Sequence, residues 1–169
     1  FRIKTRRDFP PMRFWLVHQL LLLLVITNAT PVILSLLAGQ RWNRPLDGNH
    51  QFLDRKPLLG PSKTIRGVLG SVLVTALIAP LFSLTVLEGA GFALLAMAGD
   101  VCSSFIKRRL DIAPSRSVPF LDQLPETLLP LWGMQTALGA NTREILLAAA
   151  FFIVIDLLLT RLIRPASAG

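Results

Sequence analysis

Long apolar runs alternate with polar, charged connections along this chain. Five runs are candidate membrane spans: about Phe14–Ala38, Val68–Leu87, Gly89–Ile106, Thr127–Ala140 and Ile145–Ile163. A helix needs roughly 20 mostly apolar residues to cross a bilayer, and the first, second and fifth runs meet or approach that length. The third run qualifies only if Asp100 faces protein. The fourth is short and contains Pro130, so we expect it to be tilted, broken or re-entrant.

The charges of the connections predict how these spans are oriented. With five spans, the long connections 39–67 and 107–126 and the C-terminal tail share one side of the membrane. They carry more Lys and Arg than the opposite side, so the positive-inside rule places them in the cytoplasm. The pattern therefore predicts an all-α integral membrane protein of about five transmembrane helices. It is a multi-pass protein of the cytoplasmic membrane with two charged cytoplasmic connections.

Composition agrees with this class of protein. The chain has 169 residues, 52% of them hydrophobic, with a mean hydropathy of +0.55 and a formal net charge of +8. In a soluble protein that charge would suggest nucleic acid. Here it reflects topology signals and a site for an anionic substrate, so we expect no nucleic-acid partner. One cysteine excludes an internal disulfide and a cysteine-based zinc site, and two histidines are too few for a histidine-rich metal site.

The N-terminus weakens the charge contrast because residues 1–13 are basic. The chain starts at Phe1, and Met12 would make a natural start, so we interpret residues 1–13 as an extension whose native status is open. Residues 14–169 are then a single membrane-embedded domain. A cleaved signal peptide is the alternative for the first run, but the apolar run continues well past the weak cleavage site near Ala29.

The first connection ends in the sequence GPSKTIRG, residues 60–67, directly before the second run. Ser62 is placed to cap the helix that follows. Free backbone amides at that helix N-terminus, beside Lys63 and Arg66, would bind a phosphate. It is not a Walker A loop, because Pro57 and Ser62 stand where that motif needs glycine. The alternative is a capped helix flanked by topology charges alone.

The third run carries a polar stripe near its cytoplasmic end. At 100° per residue, one helix face collects Asp100, Ser103, Ser104, Lys107 and Asp111. An ionisable residue within a span is costly and usually faces a bundle interior or a watery cavity. The alternative is that Asp100 merely pairs with Lys107 or Arg108. Asp156, the other acid within a span, is expected to pair structurally with Arg161 or with a neighbouring span.

The second connection adds two carboxylates. Asp122 and Glu126 are four residues apart and share a face if this segment is helical. Carboxylates on adjacent elements suit a hard cation such as Mg²⁺, and the cations opposite them suit phosphates. A metal ion with Lys and Arg in one pocket is the usual equipment for phosphoryl or nucleotidyl transfer.

These motifs, in this order, resemble the CDP-archaeol synthase family of integral-membrane cytidylyltransferases, distant relatives of CDP-diacylglycerol synthase. The resemblance covers roughly residues 27–126. Its pieces are TNATPV at 27–32, RPLDG at 44–48, LGPSKTIRG at 59–67, GD at 99–100 with SFIKRR at 104–109, and PFLDQL at 119–124. The family's five spans and cytoplasmic C-terminus agree with the charge argument.

The resemblance implies a reaction in which CTP and a membrane lipid phosphate give a CDP-lipid and pyrophosphate, with Mg²⁺, for phospholipid biosynthesis. The acceptor is archaetidic-acid-like or phosphatidic-acid-like, and the site faces the cytoplasm. The implied metal ligands are Asp100 and Asp122, and Glu126 is a third candidate ligand of this chain. The implied catalytic residues are Lys63, Arg66, Asp100, Lys107, Arg108 and Asp122. The implied substrate-binding residues are Asn28, Asp47, Gly60, Ser62, Thr64, Gly67 and Ser104. The partners are CTP, the lipid phosphate and the bilayer, while the oligomeric state is not predicted.

One position departs from the family's pattern. The family often has a second aspartate three residues after the first, where this chain has Pro125. Glu126 is next to it and longer, so we expect it to reach the same metal ion. The alternative function is a small membrane transporter, or a membrane protein that binds an anion or lipid without catalysis. A purely structural membrane subunit would leave Asp100 and the clustered loop motifs unexplained.

Overall fold

The chain is a bundle of helices joined by turns and two long connections. The computed structural model describes residues 11–114 and 116–163. Its α-helices are α1 (Phe14–Ala38), α2 (Ile65–Ile78), α3 (Val86–Arg109), α4 (Gln123–Gly133), α5 (Gln135–Leu138) and α6 (Thr142–Ile163). Within the described ranges there is no β-strand, only isolated bridges that join Pro45 to Thr64 and Gln51 to Pro57 in the first connection. The predicted all-α class is confirmed.

Helix α1 has the bounds predicted from the first apolar run, Phe14 to Ala38. Its sequence is apolar on nearly every side, which is typical of a helix that faces lipid on one side and protein on the other. Leu23 and Leu24 are fully buried, whereas Leu36 and Leu37 are almost fully exposed. The exposed leucines lie on the outer surface of the bundle.

Helix α2 starts earlier and ends sooner than the apolar run suggests. It begins at Ile65 because Thr64 is its N-cap: the backbone of Thr64 is extended, and its Oγ1 accepts the N–H of Gly67 at 3.1 Å. The prediction that Ser62 caps this helix is therefore wrong. The helix ends at Ile78 and continues as a 3₁₀ turn over Ala79–Phe82. Pro80 stands in that turn and has no N–H to extend α-helical bonding.

A capping box defines the start of α3. The N–H of Glu88 donates to Thr85 Oγ1 at 3.2 Å, and the N–H of Thr85 donates to Glu88 Oε2 at 2.7 Å. This reciprocal pair satisfies two amides at the helix end and fixes the first helical residue at Val86. The helix runs to Arg109, so it extends beyond both ends of the predicted run, and Asp111 lies outside it.

The predicted fourth span is broken, as the position of Pro130 suggested. Helix α4 covers Gln123–Gly133, and the short α5 covers Gln135–Leu138, with Met134 between them. The break comes one turn after Pro130, whose carbonyl accepts the N–H of Met134 at 3.1 Å. The apolar segment thus divides into two shorter helices.

Successive helices pack side by side. Helix α1 packs against α2, α2 against α3 and α3 against α4, while α6 packs against both α1 and α4. The fully buried core includes Phe92, Leu131 and Ile145, contributed by three different helices. The sequence order of the helices thus becomes their spatial order, with α6 closing the bundle.

Buried hydroxyl groups connect α1 to α2. Thr27 Oγ1 lies 3.0 Å from Thr75 Oγ1 and also donates to the carbonyl of Leu23 at 2.7 Å. Ser71 Oγ donates to the carbonyl of Thr27 at 2.5 Å. Hydrogen bonds of this kind hold transmembrane helices together where hydrophobic burial gives little discrimination.

An ion pair joins the starts of α1 and α6. The guanidinium of Arg13 contacts Glu144 Oε2 at 2.8 Å, and the backbone N–H of Arg13 donates to Glu144 Oε1 at 3.0 Å. The Glu144 side chain is fully buried. Arg13 therefore contacts the helix bundle, while the predicted division of the chain after residue 13 stays a prediction. Residues 1–10 of the predicted extension lie outside the described residues.

Three helical segments among the described residues are long and apolar enough to cross a membrane. They are Phe14–Ala38, Ile65–Phe82 and Val86–Arg109. The chain is an all-α protein of the integral membrane class, and the number of five spans remains a prediction.

Candidate active site

A cavity of about 510 Å³ opens at one end of the bundle, where α1, α3 and α6 end and α2 and α4 begin. Polar and charged groups from all five helices and both connections face it. Its polar lining consists of Asn28, Ser35, Asn43, Ser62, Lys63, Thr64, Arg66, Asp100, Lys107, Ser117, Asp122, Gln123, Glu126 and Asp156. Most of the predicted site residues therefore meet in one place, although they are spread over a hundred positions of the sequence.

Two lysine–aspartate ion pairs line the cavity. Lys63 Nζ lies 2.5 Å from Asp100 Oδ1, and Lys107 Nζ lies 2.7 Å from Asp122 Oδ1. In each pair the two partners come from different elements. The alternative in which Asp100 pairs with Lys107 or Arg108 of its own helix is wrong, because Lys63 of the first connection takes that place.

The second pair also orders the connection between α3 and α4. Lys107 Nζ donates to the carbonyl of Arg116 at 3.2 Å, and Asp122 Oδ2 accepts the N–H of Val118 at 3.0 Å. The Lys107 side chain is only 9% exposed. A nearly buried ammonium with both a carboxylate and a carbonyl is well satisfied. The pair thus fixes the segment that precedes α4.

Two further carboxylates, those of Glu126 and Asp156, line the cavity. Glu126 is buried, and the charges of Asp100, Asp156, Lys63 and Asp122 all act on its carboxyl group. It lines the cavity, and its predicted contact with a metal ion stays a prediction. Like-charged carboxylates in one space favour a cation, so this cluster is electrostatically suited to a positive ligand.

Asp156 pairs with a neighbouring helix, which is one of the two partners predicted, and it also lines the cavity. It was expected to pair with Arg161 or a neighbouring span. Its Oδ2 accepts Nε2 of Gln123 from α4 at 2.7 Å, and its side chain also lines the cavity. Gln123 is fully buried and uses its Oε1 to accept the N–H of Phe120 at 2.7 Å. This contact ties α6 to the start of α4, beside Asp122. The sequence does offer a signal that Asp156 belongs to the site, because an ionisable residue within a membrane span is by default a candidate functional residue.

The N-terminus of α2 forms another wall of the cavity. Ser62, Thr64 and Gly67 all line it, with the Thr64 hydroxyl engaged in capping. A side chain at position 67 would be tight, because a Cβ there would lie 3.2 Å from the Cβ of Pro31 on α1. The absence of a Cβ therefore allows α1 and α2 to approach closely here. Asn28 faces the cavity from α1, with its amide donating to the carbonyl of Leu24 at 3.0 Å.

Other predicted site residues build the surroundings of the cavity. Asp47 Oδ2 accepts the N–H groups of Leu59 and Gly60 at 2.9 and 3.0 Å, and its Oδ1 accepts that of Asn49 at 3.0 Å. Burial acts to raise the pKa of Asp47, but these backbone hydrogen bonds outweigh it and hold the pKa below its usual value. Asp47 is a buried anchor of the first connection and lies outside the cavity lining.

Gly60, Ser104 and Arg108 also lie outside the cavity lining. Gly60 has a φ of +91°, which favours glycine, and a Cβ there would lie 3.6 Å from Arg108 Nη1. Ser104 and Arg108 are both buried, and neither Ser104 Oγ nor Arg108 Nε has a hydrogen-bond partner in residues 11–114 and 116–163. Gly60 and Arg108 therefore pack the first connection against α3 behind the cavity.

The first connection is also fastened to the end of α3. The guanidinium of Arg109 lies 4.9 Å from the ring centroid of Phe52 and 4.8 Å from that of Phe105, and the two rings contact each other edge to face. It also contacts Asp54 Oδ1 at 3.1 Å and donates to the carbonyl of Pro57 at 2.6 Å. Next to it, the exposed Asp111 pairs with Lys56 at 2.6 Å. Asp111 is thus part of this fastening and not of the polar stripe predicted along α3.

The number and type of carboxylate ligands decide whether the site could bind Mg²⁺. No group of three or more His, Cys, Asp or Glu side chains in the described part of the chain is close enough to hold a metal ion. Mg²⁺ seldom needs such a cage, because it is usually bound by one or two carboxylates together with substrate phosphates and water. Asp100 and Asp122 supply hard oxygen donors, and cations for phosphates stand beside them. The donor set therefore fits Mg²⁺ bound together with a phosphate ligand.

Comparison with known proteins places this arrangement in a family. The family model for CDP-archaeol synthase (CarS-like) matches residues 14–164. A CDP-archaeol synthase of Aeropyrum pernix is 43% identical over 111 residues, which cover 62% of this chain and 60% of that protein. A CDP-archaeol synthase of Thermofilum pendens is 38% identical over 104 residues, covering 59% of this chain and 51% of that protein. The matched part of this chain thus spans between half and two thirds of these curated relatives.

A solved structure of similar fold agrees. It is described as giving structural insight into an intramembrane enzyme for archaeal membrane lipids biosynthesis. It has 37% sequence identity and a TM-score of 0.69, and the match covers 84% of this chain and 90% of that one. The family predicted from the sequence motifs is confirmed: this chain belongs to the CDP-archaeol synthase family.

Proposed function

We propose that this chain is a CTP-dependent cytidylyltransferase that converts a membrane lipid phosphate to a CDP-activated lipid and releases pyrophosphate. The observation that carries the proposal is the pair of lysine–aspartate contacts, Lys63–Asp100 and Lys107–Asp122, in one cavity at the polar end of apolar helices. The matched relatives are named CDP-archaeol synthase, which supports a CDP-lipid product. The acceptor is an archaetidic-acid-like or phosphatidic-acid-like lipid.

The reaction brings together two anions that repel each other, a triphosphate and a lipid phosphate. The cavity offers Lys63, Lys107 and Arg66 to offset that repulsion. Because these groups are partly withdrawn from water and already oriented by neighbours, they stabilise charge more strongly than the same groups in solution. Arg108 lies behind this wall and acts through its packing against the first connection.

Asp100 and Asp122 would hold Mg²⁺, and Glu126 lines the same cavity. When bound, Mg²⁺ supplies positive charge that polarises the phosphate oxygens. For Asp100 and Asp122 to bind a cation, Lys63 and Lys107 must release them. Phosphate oxygens at the same place accept these ammonium groups, so the pairings exchange without leaving a charge unpaired.

The bond changes require little proton transfer. An oxygen of the lipid phosphate forms a bond to the α-phosphorus of CTP, and the bond from that phosphorus to the bridging oxygen of the β-phosphate breaks. Pyrophosphate leaves with the electron pair. Because the attacking oxygen is already ionised at neutral pH, positioning and charge stabilisation supply most of the catalysis. In this scheme Lys63 and Lys107 orient the phosphates, and Asn28 faces them from α1.

The cavity faces the cytoplasm of a multi-pass protein in this proposal, since CTP is a cytoplasmic nucleotide. The excess of Lys and Arg in the connections that border the cavity supports this orientation. The α-helices that lead away from the cavity are apolar, so a lipid acceptor can reach it from within the bilayer.

The test is pyrophosphate release from CTP by the purified protein with a panel of lipid phosphates, compared with Asp100→Asn and Asp122→Asn. Each substitution keeps the shape and removes one negative charge. We expect kcat to fall at least about 100-fold in both variants, the usual loss on removing one electrostatic group from such a site. Asp111→Asn is the matched control, because it breaks an ion pair outside the cavity and should leave kcat unchanged.

Two results would count against the proposal. If the wild-type protein released no pyrophosphate with any lipid phosphate, the enzyme reading would fail in favour of a transporter or a binding protein. If Asp100→Asn and Asp122→Asn both stayed active, the metal assignment would fail. Nucleotide binding separates the classes further: CTP with Mg²⁺ should raise the unfolding temperature more than ATP or GTP, and at 100 times Kd the stabilisation is about 2.7 kcal/mol.

A further inference from the structure

An apolar groove of about 640 Å³ lies on the outer side of the bundle between α1 and α2. We call it the α1–α2 groove. Its lining residues are Leu34, Trp42, Arg44, Ile65, Arg66, Leu69, Gly70 and Leu73. Apart from the two arginines and the Trp42 indole N–H, the lining is apolar. The groove is therefore a place for hydrocarbon with positive charge at one end.

The groove is open toward the surface that faces lipid. Leu69 and Leu73 are one helical turn apart, and Leu69 is 63% exposed while Leu73 is 60% exposed. From Ile65 to Leu73 the groove follows α2 for about 12 Å at 1.5 Å per residue. The hydrocarbon core of a bilayer is roughly 30 Å thick, so this length matches the part of a lipid chain nearest its head group.

The charged end of the groove is built by the first connection. The N–H of Ile65 donates to the carbonyl of Arg44 at 3.0 Å, which holds Arg44 beside the start of α2. Arg66 Nη1 donates to the carbonyl of Gly39 at 3.1 Å and also to the carbonyl of Arg41. Arg66 Nε is buried and has no hydrogen-bond partner among the residues described here. The positive charge of Arg66 is thus fixed at this end, where it would attract an anion.

Arg66 belongs to both spaces, because it lines the α1–α2 groove and the cavity with the lysine–aspartate pairs. A ligand whose anionic group sits at Arg66 therefore has its apolar part in the groove and its charge at the wall of the active cavity. A lipid phosphate has this form, whereas a nucleotide has no part that suits an apolar groove. The two substrates would meet at Arg66 from opposite sides.

We infer that the α1–α2 groove binds the lipid phosphate acceptor, with its phosphate at Arg44 and Arg66 and one hydrocarbon chain along Leu69 and Leu73. This inference rests on the proposed function for the identity of its ligand. It assigns a route as well as a site: the lipid enters sideways from the bilayer between α1 and α2. Arg44, Leu69 and Leu73 become specificity residues for the acceptor.

Binding tests the groove whether or not the protein turns over. A variant with Trp15→Phe and Trp132→Phe keeps Trp42 as its one indole, and we would titrate it in detergent with a lipid phosphate brominated on its chains. We expect saturable quenching of Trp42, with at least tenfold weaker apparent affinity in Arg44→Gln and for a neutral brominated lipid. Arg41→Gln removes the same charge from the same connection outside the groove and should bind as the parent does. Equal quenching by the phosphate and the neutral lipid would overturn the inference.

Steady-state kinetics then test whether the groove binds a hydrocarbon chain of the lipid. Leu69→Trp fills the groove, while Leu77→Trp places the same bulk on the same exposed stripe of α2, two turns farther along and outside the groove. We expect Leu69→Trp to raise KM for the lipid phosphate about tenfold or more, the scale of a mis-sized apolar pocket, with KM for CTP unchanged. Leu77→Trp should match wild type. If the two variants behaved alike, the groove would not hold the acceptor, and wild-type turnover would still support the proposed function.

Discussion

Replacing Gly99 by alanine should damage the active cavity because α3 and α4 touch at this glycine. A Cβ on Gly99 would lie 2.5 Å from the backbone nitrogen of Glu126 and closer still to the carbonyl group of Pro125. These are backbone atoms of a helix, so they cannot turn aside as a flexible side chain can. Asp100 follows Gly99 directly, and Glu126 carries one of the cavity's carboxylates.

The size of the displacement follows from these distances. An ordinary van der Waals contact begins at 3.4 Å, so α4 must move away by about 1 Å to admit the methyl group. The movement carries Glu126, and with it the position of Asp122, away from Asp100. A misplacement of about 1 Å at reacting groups typically costs about 100-fold in rate. Overpacking also costs about 1–3 kcal/mol of stability.

Two glycines of the same helix separate the effects. Gly91→Ala meets nothing closer than Met134 Sδ at 3.7 Å, so it should fold normally and gain about 0.5–1 kcal/mol from better helix propensity. Gly89→Ala meets the carbonyl of Thr75 at 2.9 Å, near the opposite end of the helix from the cavity. It should lower the unfolding temperature as Gly99→Ala does, and folded protein should keep its kcat.

The assay measures thermal unfolding and steady-state CTP turnover for the three variants side by side. The expected signature is destabilisation by Gly89→Ala and Gly99→Ala, with a loss of kcat only in Gly99→Ala. Wild-type kcat in a destabilised Gly99→Ala protein would refute the reasoning, because the separation of α3 from α4 would then not matter for the site. An unchanged unfolding temperature would refute the close contact itself.

Two shorter predictions concern the first connection. Asp47→Asn should lower stability by about 1–2 kcal/mol at pH 7, because its hydrogen bonds to the Gly60 amide and its neighbours lose their charge. The pKa of Asp47 is held below the usual 3.8, so its contribution is complete above that pH and is lost as the pH falls through the lower folded pKa. Unfolding curves of wild type and variant should therefore converge in strong acid, and a constant gap would contradict the assignment. Arg109→Met should remove two cation–π contacts and an ion pair, costing about 1–2 kcal/mol. Limited proteolysis should then cut near the exposed Leu53 sooner than in wild type, and unchanged cleavage would show that this fastening is not needed.

The sequence predicts helices well where local signals decide them. The apolar run of α1 defines that helix at both ends, and Pro130 correctly marks a broken fourth segment. The position of Asp100 on a polar stripe also locates one wall of the cavity, since spacing along a helix fixes which side chains share a face. The order of the loop motifs then identifies the family.

The partners of the charged groups could not be predicted in the same way. Lys107 is two helical turns from Asp100 and was a reasonable partner, yet Lys63 lies closer because the first connection folds back over the end of α3. The folding of the first connection over α3 depends on Asp47 and Arg109, whose contacts join residues far apart in sequence. Asp156 reaches the cavity only because α6 packs against α4. Spacing describes one element at a time, whereas these contacts depend on how elements meet.

The hydroxyl contacts between α1 and α2 have a consequence for how the protein is made. Thr27, Ser71 and Thr75 satisfy one another and the α1 backbone within that helix pair alone. The pair can therefore associate in the bilayer as soon as both helices have been inserted, before α3 leaves the translocation machinery. The acidic groups of the cavity arrive with α3, α4 and α6. These hydrogen bonds thus need no residue of the later helices, so the costly charged residues of α3, α4 and α6 can enter beside a helix pair that is already joined.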